Sequence, residues 1–68
     1  MEIFARRLKE LRAEKKLSMR AVARFLEISQ PAYFRYEKNM AEPSQEILVK
    51  LADYFGVTVD FLLGRVDY

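Results

Sequence analysis

The side chains of this chain that can do chemistry are mostly cations, and they gather in its first half. Residues 1–38 hold ten Lys and Arg against five Asp and Glu, whereas residues 39–68 hold two against five, for a net charge of +2. A basic half joined to an acidic half is typical of a protein that presents one face to a polyanion. Two solvated helices that differ in sign would give the same counts, so the charge pattern leaves both interpretations open.

The residues that usually carry catalysis or metal binding are missing. The 68-residue chain has no His and no Cys, which removes the usual general base, the commonest metal ligands and any disulfide. Its two glycines, Gly56 and Gly64, are isolated, so no glycine-rich loop can cradle a phosphate. We expect a single domain over residues 1–68 without enzymatic activity, metal, cofactor or small-molecule ligand. No membrane-spanning or signal-peptide run is present, so a cytoplasmic location is expected.

Apolar spacing and capping residues predict an all-α fold of five short helices around one core. Ser18, Ser29 and Thr58 are good N-cap residues, and Asn39 and Gly56 suit the left-handed position that ends a helix. No segment alternates with the period of a strand. The predicted helices span residues 2–16, 19–26, 30–38 and 44–55, followed by a short helix that begins after Thr58.

The first predicted helix has an apolar stripe and a basic exterior. Phe4, Leu8 and Leu11 recur at helical spacing. The cations are expected to cover the rest of the helix surface: Arg6, Arg7, Lys9, Arg12, Lys15 and Lys16. The stripe, extended by Ile3, is expected to be core; if it were free, the segment would instead suit a membrane surface.

The third predicted helix has a large outward face. Tyr33 and Tyr36 are expected to point into the core, which leaves the opposite side to Gln30, Pro31, Phe34, Arg35 and Lys38. With the second helix and the tight turn over residues 26–29, it has the sequence form of a helix-turn-helix. That motif suits DNA, because its second helix fits a major groove about 12 Å wide.

Several dispersed short motifs occur together in one register. They are Leu8-Lys9-Glu10-Leu11-Arg12, Leu17-Ser18, Ala23, Ile28-Ser29-Gln30, Arg35-Tyr36-Glu37, Pro43-Ser44, Leu51-Ala52, Phe55-Gly56-Val57 and Phe61-Leu62-Leu63-Gly64-Arg65. In this combination the chain resembles the Xre family of Cro-like and lambda-repressor-like helix-turn-helix regulators, from about Ile3 to Arg65 without insertion. The resemblance implies a five-helix domain that regulates transcription by binding operator DNA, usually as a dimer.

The resemblance also implies contacts for individual residues of the third helix. Gln30, Phe34 and Arg35 match positions that face base edges; glutamine can pair with adenine and arginine with guanine. A phosphate contact remains open for Arg35, and for Phe34 a thymine methyl group, a dimer contact and an exposed patch are all open. Ser29 and Lys38 are expected to contact phosphates, which position a domain without reading sequence.

Arg12 and Glu37 match positions that pair across the first and third helices of the family. Such an ion pair would fix the third helix in place, whereas two separate solvated charges are the alternative. If the pair forms, removing one partner costs more than the pair is worth, because the other charge is left stranded.

The chain departs from the family pattern at positions that bind phosphates. Met19 stands where the family commonly has a phosphate-binding glutamine, and Asn39-Met40-Ala41-Glu42 replaces a loop that is often basic. Cations on and before the second helix are expected to replace part of these contacts: Arg20, Arg24, Lys15 and Lys16. Glu27 stands where the tight turn usually has glycine, so a positive φ there would cost on the order of 1 kcal/mol.

Two functions are compatible with these residues. The first is a DNA-binding regulator, whose partner is double-stranded DNA. We expect it to be a homodimer, because one module buries only roughly 600–1,000 Å² on DNA. The alternative is a helix-turn-helix module that binds protein and has lost DNA affinity, which the apolar Met19, Phe34 and Met40 favour. The dimer interface is expected in the C-terminal segment, unless these residues only close the core: Phe61, Val66 and Tyr68.

Overall fold

Every helix after the first begins at a hydroxyl residue. In the computed structural model, which describes residues 1–68, the side-chain oxygens of these N-caps accept the backbone N–H three residues ahead at 3.0–3.2 Å. The four N-caps are Ser18, Ser29, Ser44 and Thr58. The helices are α1 (Glu2–Glu14), α2 (Met19–Leu26), α3 (Gln30–Glu37), α4 (Gln45–Phe55) and α5 (Val59–Leu63). The predicted all-α fold of five helices is confirmed.

All five helices end in the same left-handed turn. The residues in this conformation have φ between 56° and 82°: Lys16, Glu27, Asn39, Gly56 and Gly64. In each case the next backbone N–H bonds to the carbonyl five residues back, which satisfies an orphan acceptor of the helix end. The prediction for Asn39 and Gly56 is confirmed. The predicted first helix was two residues too long. It ends at Glu14 because Lys16 adopts the left-handed conformation, which the sequence signals only when glycine or asparagine stands there.

The core is one apolar cluster to which all five helices contribute. Its buried members are Phe4, Leu8, Leu11, Val22, Ala23, Leu26, Tyr33, Leu51, Ala52, Phe55 and Leu62. The stripe of α1 is therefore core, as expected, and is not free to lie on a membrane surface. Ile3 is the exception, because it is 42% exposed and lies over Gly64 instead. None of the helices has the length and apolar character needed to cross a membrane.

The packing order leaves one side of α3 uncovered. α1 packs against α3 and α5, α4 packs against α2 and α5, and α3 packs mainly against α1 and α2. Phe25 of α2 stacks on Tyr54 of α4, with ring centroids 4.1 Å apart, and joins these two helices outside the core. Since α3 has its main neighbours on one side only, its other side faces solvent.

Candidate nucleic-acid interface

The backbone of the short turn between α2 and α3 is fixed at both ends. Glu27 adopts a left-handed conformation with φ 60°, and the N–H of Ile28 bonds to the carbonyl of Ala23 at 3.0 Å. Directly afterwards the Ser29 hydroxyl accepts the N–H of Ala32 at 3.1 Å and begins α3. Glu27 therefore holds a conformation that glycine adopts without strain, at a cost on the order of 1 kcal/mol.

α3 is anchored from its inner side by Tyr33 and Glu37. Tyr33 is completely buried and Glu37 is 8% exposed. The Glu37 carboxylate accepts hydrogen bonds from Nε of Arg12 at 2.5 Å, from Nη2 of Arg12 at 3.1 Å and from the Tyr33 hydroxyl. Nη1 of Arg12 donates to the carbonyl of Leu17 at 2.9 Å. One guanidinium thus joins α1, the turn before α2, and α3.

This network raises the pKa of two of its members. The hydrogen bond to Glu37 raises the pKa of the Arg12 guanidinium above its ordinary value. Burial, and then the hydrogen bond to Glu37, raises the pKa of the Tyr33 hydroxyl far above its ordinary value of 10.0. Arg12 therefore stays charged and Tyr33 stays a neutral donor at physiological pH. The carboxylate is fully partnered, since every buried side-chain nitrogen or oxygen has a hydrogen-bond partner.

The outer side of α3 is open to solvent. Its exposed residues are Gln30, Pro31, Phe34 and Arg35. Three of them line a shallow depression at the start of the helix: Gln30, Pro31 and Phe34. Nζ of Lys38 lies 5.3 Å from the centroid of the Phe34 ring. The one acid of α3, Glu37, faces inward, so this outer face carries no negative side chain.

Six exposed cations lie on α2, on α3 and next to these helices, and none of them is in an ion pair. They are Lys15, Lys16, Arg20, Arg24, Arg35 and Lys38. The ion pairs of the protein use four other cations: Arg7, Arg12, Lys50 and Arg65. The Ser29 hydroxyl is exposed as well, and its proton remains free to donate. The structure therefore leaves these groups free to meet a polyanion.

The departures from the family pattern have different structural outcomes. Met19 is half-buried against the core, so it offers no polar group to a phosphate. Met40 is 67% exposed in the loop after α3, and Glu42 is exposed beside it. The Glu27 side chain also points to solvent. The side chains at residues 39–42 therefore bring no positive charge to this region.

Arg7 has a role that sequence reasoning missed. Arg7 was expected on the solvent side of α1, and this was wrong, because its side chain is only 12% exposed. The side chain of Arg12, which was expected to pair with Glu37, is 17% exposed. Nη1 of Arg7 donates to the carbonyls of Phe61 and Val66, at 2.5 and 2.7 Å. Both arginines border the apolar stripe, where a long side chain can bury its stem and still reach a partner. That position beside the stripe was the available signal.

Arg7 also contacts two of the three candidate dimer residues. Its guanidinium lies 4.2 Å from the centroid of the Phe61 ring, and its hydrogen bond to the carbonyl of Val66 holds that residue near α1. Phe61 and Val66 are half-buried, whereas Tyr68 is 84% exposed. Leu63 of α5 adds an exposed apolar side chain to the same end of the chain.

Comparisons with known proteins agree on one family. The helix-turn-helix family matches residues 8–62, a range that includes α2, α3 and the turn between them. An SPbeta prophage-derived uncharacterized HTH-type transcriptional regulator of Bacillus subtilis, YonR, is 43% identical over 61 residues, which are 90% of this chain and 56% of YonR. The HTH-type transcriptional regulator AnsR of the same organism is 46% identical over 59 residues, 87% of this chain and 51% of AnsR.

These two matches cover most of this chain. The chain spans about half the length of the curated relatives it matches. No solved structure matches it with significance. The shared part is the five-helix domain itself, which contains every residue of the candidate interface.

Proposed function

The chain belongs to the helix-turn-helix family, and we propose that it is a sequence-specific DNA-binding transcriptional regulator that inserts α3 into the major groove. The observation that carries this proposal is the outer face of α3, which is exposed, free of negative side chains and flanked by the unpaired cations Arg35 and Lys38. An α-helix with its side chains is about 10–12 Å across, which fits a major groove about 12 Å wide.

In this proposal Gln30, Phe34 and Arg35 face base edges. The Gln30 amide can bond adenine N6 and N7 together, and the Arg35 guanidinium can bond guanine O6 and N7. Each such bidentate pair gives about 1–3 kcal/mol of discrimination against the wrong base. The exposure of all three side chains supports these assignments.

The phosphate contacts are assigned to the groups that flank this helix. Ser29 and Lys38 lie at the two ends of α3, and Arg20 and Arg24 lie one turn apart on α2. Lys16 lies in the turn before α2. The four cations among these groups set the salt dependence of binding, since its slope follows the number of phosphates neutralised, so a dimer should show about twice the slope of one protomer.

Arg12 and Glu37 are positioning residues in this mechanism. They contact no DNA, but their ion pair sets the depth and direction of α3 relative to α1. A recognition helix must hold its side chains within about 0.5 Å of the positions from which they can bond the base edges, so its anchor matters as much as its contacts.

A homodimer on a pseudo-palindromic operator completes the proposal. One module of this size buries too little DNA surface for high specific affinity. The C-terminal residues Phe61, Val66 and Tyr68, together with exposed Leu63, are the proposed interface. Sedimentation equilibrium should show a dimer that Leu63→Glu or removal of the last five residues dissociates; an unchanged mass would overturn this interface.

The alternative function is a protein-interaction module without DNA affinity. It is favoured by Met40, which is 67% exposed, and by the absence of cations from the loop at residues 39–42. The two functions differ in a direct way. The module should bind no duplex even at low salt, whereas the regulator should bind and lose affinity as salt rises.

The deciding experiment is selection of bound duplexes from a random DNA pool, followed by mobility-shift titration. Arg35→Ala should weaken binding to the selected duplex at least about tenfold, because it removes a base or phosphate contact at the centre of the interface. Lys50→Ala is the matched control, since it removes one positive charge from α4, away from α3. Equal effects of the two variants would mean that only net charge matters, and would contradict the proposed role of α3.

A further inference from the structure

We propose that the depression lined by Gln30, Pro31 and Phe34 is a subsite for the C5-methyl group of a thymine in the major groove. This inference rests on the proposed function, and it names the part of the base that this surface reads. It also assigns one of the three roles that the sequence left open for Phe34.

The depression is apolar for reasons that the chain itself supplies. Phe34 is the one large hydrophobic residue of α3 that is exposed. It lies one helical turn after Gln30 and Pro31, so the three side chains are neighbours on the helix surface. Pro31 has no backbone N–H, which means that a methyl group covering it leaves no donor without a partner.

The orientation of the Phe34 ring is held from one side only. Nζ of Lys38 lies 5.3 Å from the ring centroid, within the range of a cation–π contact. The side of the ring towards Gln30 and Pro31 remains open. The ring is therefore held in place without its apolar edge being covered.

Thymine is the base that fits this surface. It is the one base of DNA that presents an apolar group in the major groove, where its methyl group stands beside hydrogen-bonding edges. The Gln30 amide at the rim can bond adenine N6 and N7. The subsite therefore predicts adjacent adenine and thymine positions within each half-site.

The charges around the depression favour DNA over a protein partner. Arg35 and Lys38 are exposed and unpaired beside it, and α3 offers no exposed acid. An apolar spot within a cationic face matches a base edge bordered by phosphates. An apolar protein surface would have to desolvate these cations without compensation.

The test replaces each thymidine of the selected duplex, one at a time, by deoxyuridine, which removes the methyl group alone. One position in each half-site should lose about fourfold in affinity, which corresponds to about 0.8 kcal/mol for burying one such group. Phe34→Ala should bind the thymidine and deoxyuridine duplexes equally. Phe34→Leu should keep a measurable difference between them, because it retains an apolar side chain.

Arg24→Ala is the matched control. It should weaken binding to both duplexes by the same factor and so preserve their ratio, because a phosphate contact carries no base information. If no position responds to deoxyuridine, or if the response persists in Phe34→Ala, the methyl subsite is wrong while the regulator stands. If no duplex is selected at all, both proposals fail, and capture of a protein partner that Phe34→Ala abolishes would assign the depression to that partner.

Discussion

Nε of Arg12 in α1 and Oε2 of Glu37 in α3 lie 2.5 Å apart, although the two residues are 25 positions apart in the chain. The Glu37 side chain is 2% exposed and that of Arg12 is 17% exposed. The Tyr33 hydroxyl donates to the same carboxylate. The helix proposed to read DNA is thus held by a charge that only one cation neutralises.

Removing that cation should cost more than removing the whole pair. Arg12→Met keeps the stem but strands the Glu37 carboxylate, so we expect a loss of about 3 kcal/mol in the free energy of unfolding. In Arg12→Met/Glu37→Gln the stranded charge is gone and the amide oxygen still accepts from Tyr33, so the double variant should be more stable than Arg12→Met. Urea denaturation measures both, and a double variant less stable than the single one would contradict this.

The protein should lose stability in alkali through Tyr33. Burial and the hydrogen bond to Glu37 raise its pKa in the folded state above 10.0, so the unfolded chain gives up this proton first. The stabilisation that comes from the raised pKa of Tyr33 is fully present below pH 10. It declines as pH rises beyond 10, because the unfolded state then binds fewer protons than the folded state. Chemical denaturation between pH 8 and about 11 should show a smaller decline in Tyr33→Phe than in the parent. Identical slopes would refute the assignment.

Gly64 should tolerate alanine less well than Gly56 does. Both have positive φ, 82° and 68°, so alanine costs about 1 kcal/mol of backbone strain at either one. A Cβ at Gly64 would also lie 2.7 Å from Cγ2 of Ile3, whereas nothing lies within 4 Å of one at Gly56. We expect thermal unfolding to show the larger loss for Gly64→Ala and part of it restored in Ile3→Ala/Gly64→Ala. Equal losses at the two glycines would exclude the clash.

Glycine at the turn between α2 and α3 should stabilise the protein. Glu27→Gly removes a left-handed strain of about 1 kcal/mol, and part of that gain is lost to the greater freedom of glycine in the unfolded chain. Asn39→Gly is the comparison, because asparagine already tolerates its φ of 58° and its Oδ1 accepts a hydrogen bond from the N-terminal amino group at 2.9 Å. A rise in melting temperature for Glu27→Gly, with no rise for Asn39→Gly, is expected. A fall for Glu27→Gly would mean that its side chain stabilises the turn.

Arg7 should hold the C-terminal segment to α1. Arg7→Met removes its hydrogen bonds to the carbonyls of Phe61 and Val66, and we expect a loss of about 1.5–3 kcal/mol, as for bonds to a charged donor. Arg6→Met is the matched control, because Arg6 is exposed and makes no salt bridge. Hydrogen exchange should show faster opening of α5 in Arg7→Met alone. Unchanged protection of α5 would show that packing suffices to hold it.

Much of the fold could be predicted because its signals are local. The serine and threonine caps act on a donor three residues away, and the apolar stripes repeat every three to four residues. The same periodicity predicted that Tyr33 points inward and that Gln30, Phe34 and Arg35 point outward. Lys16 escaped prediction because lysine has no preference for the left-handed conformation that it adopts.

The sequence by itself therefore determined the five helices, the inner and outer faces of α3 and most of the core. Tertiary structure alone decided that Arg7 is largely withdrawn from solvent, because its guanidinium meets carbonyls 54 and 59 residues away. It likewise placed Ile3 over Gly64 and Phe25 on Tyr54. The physical reason is the separation along the chain between the groups that interact. Helix caps and stripes are satisfied within one or two turns, whereas the partner of a long side chain depends on how separate helices pack.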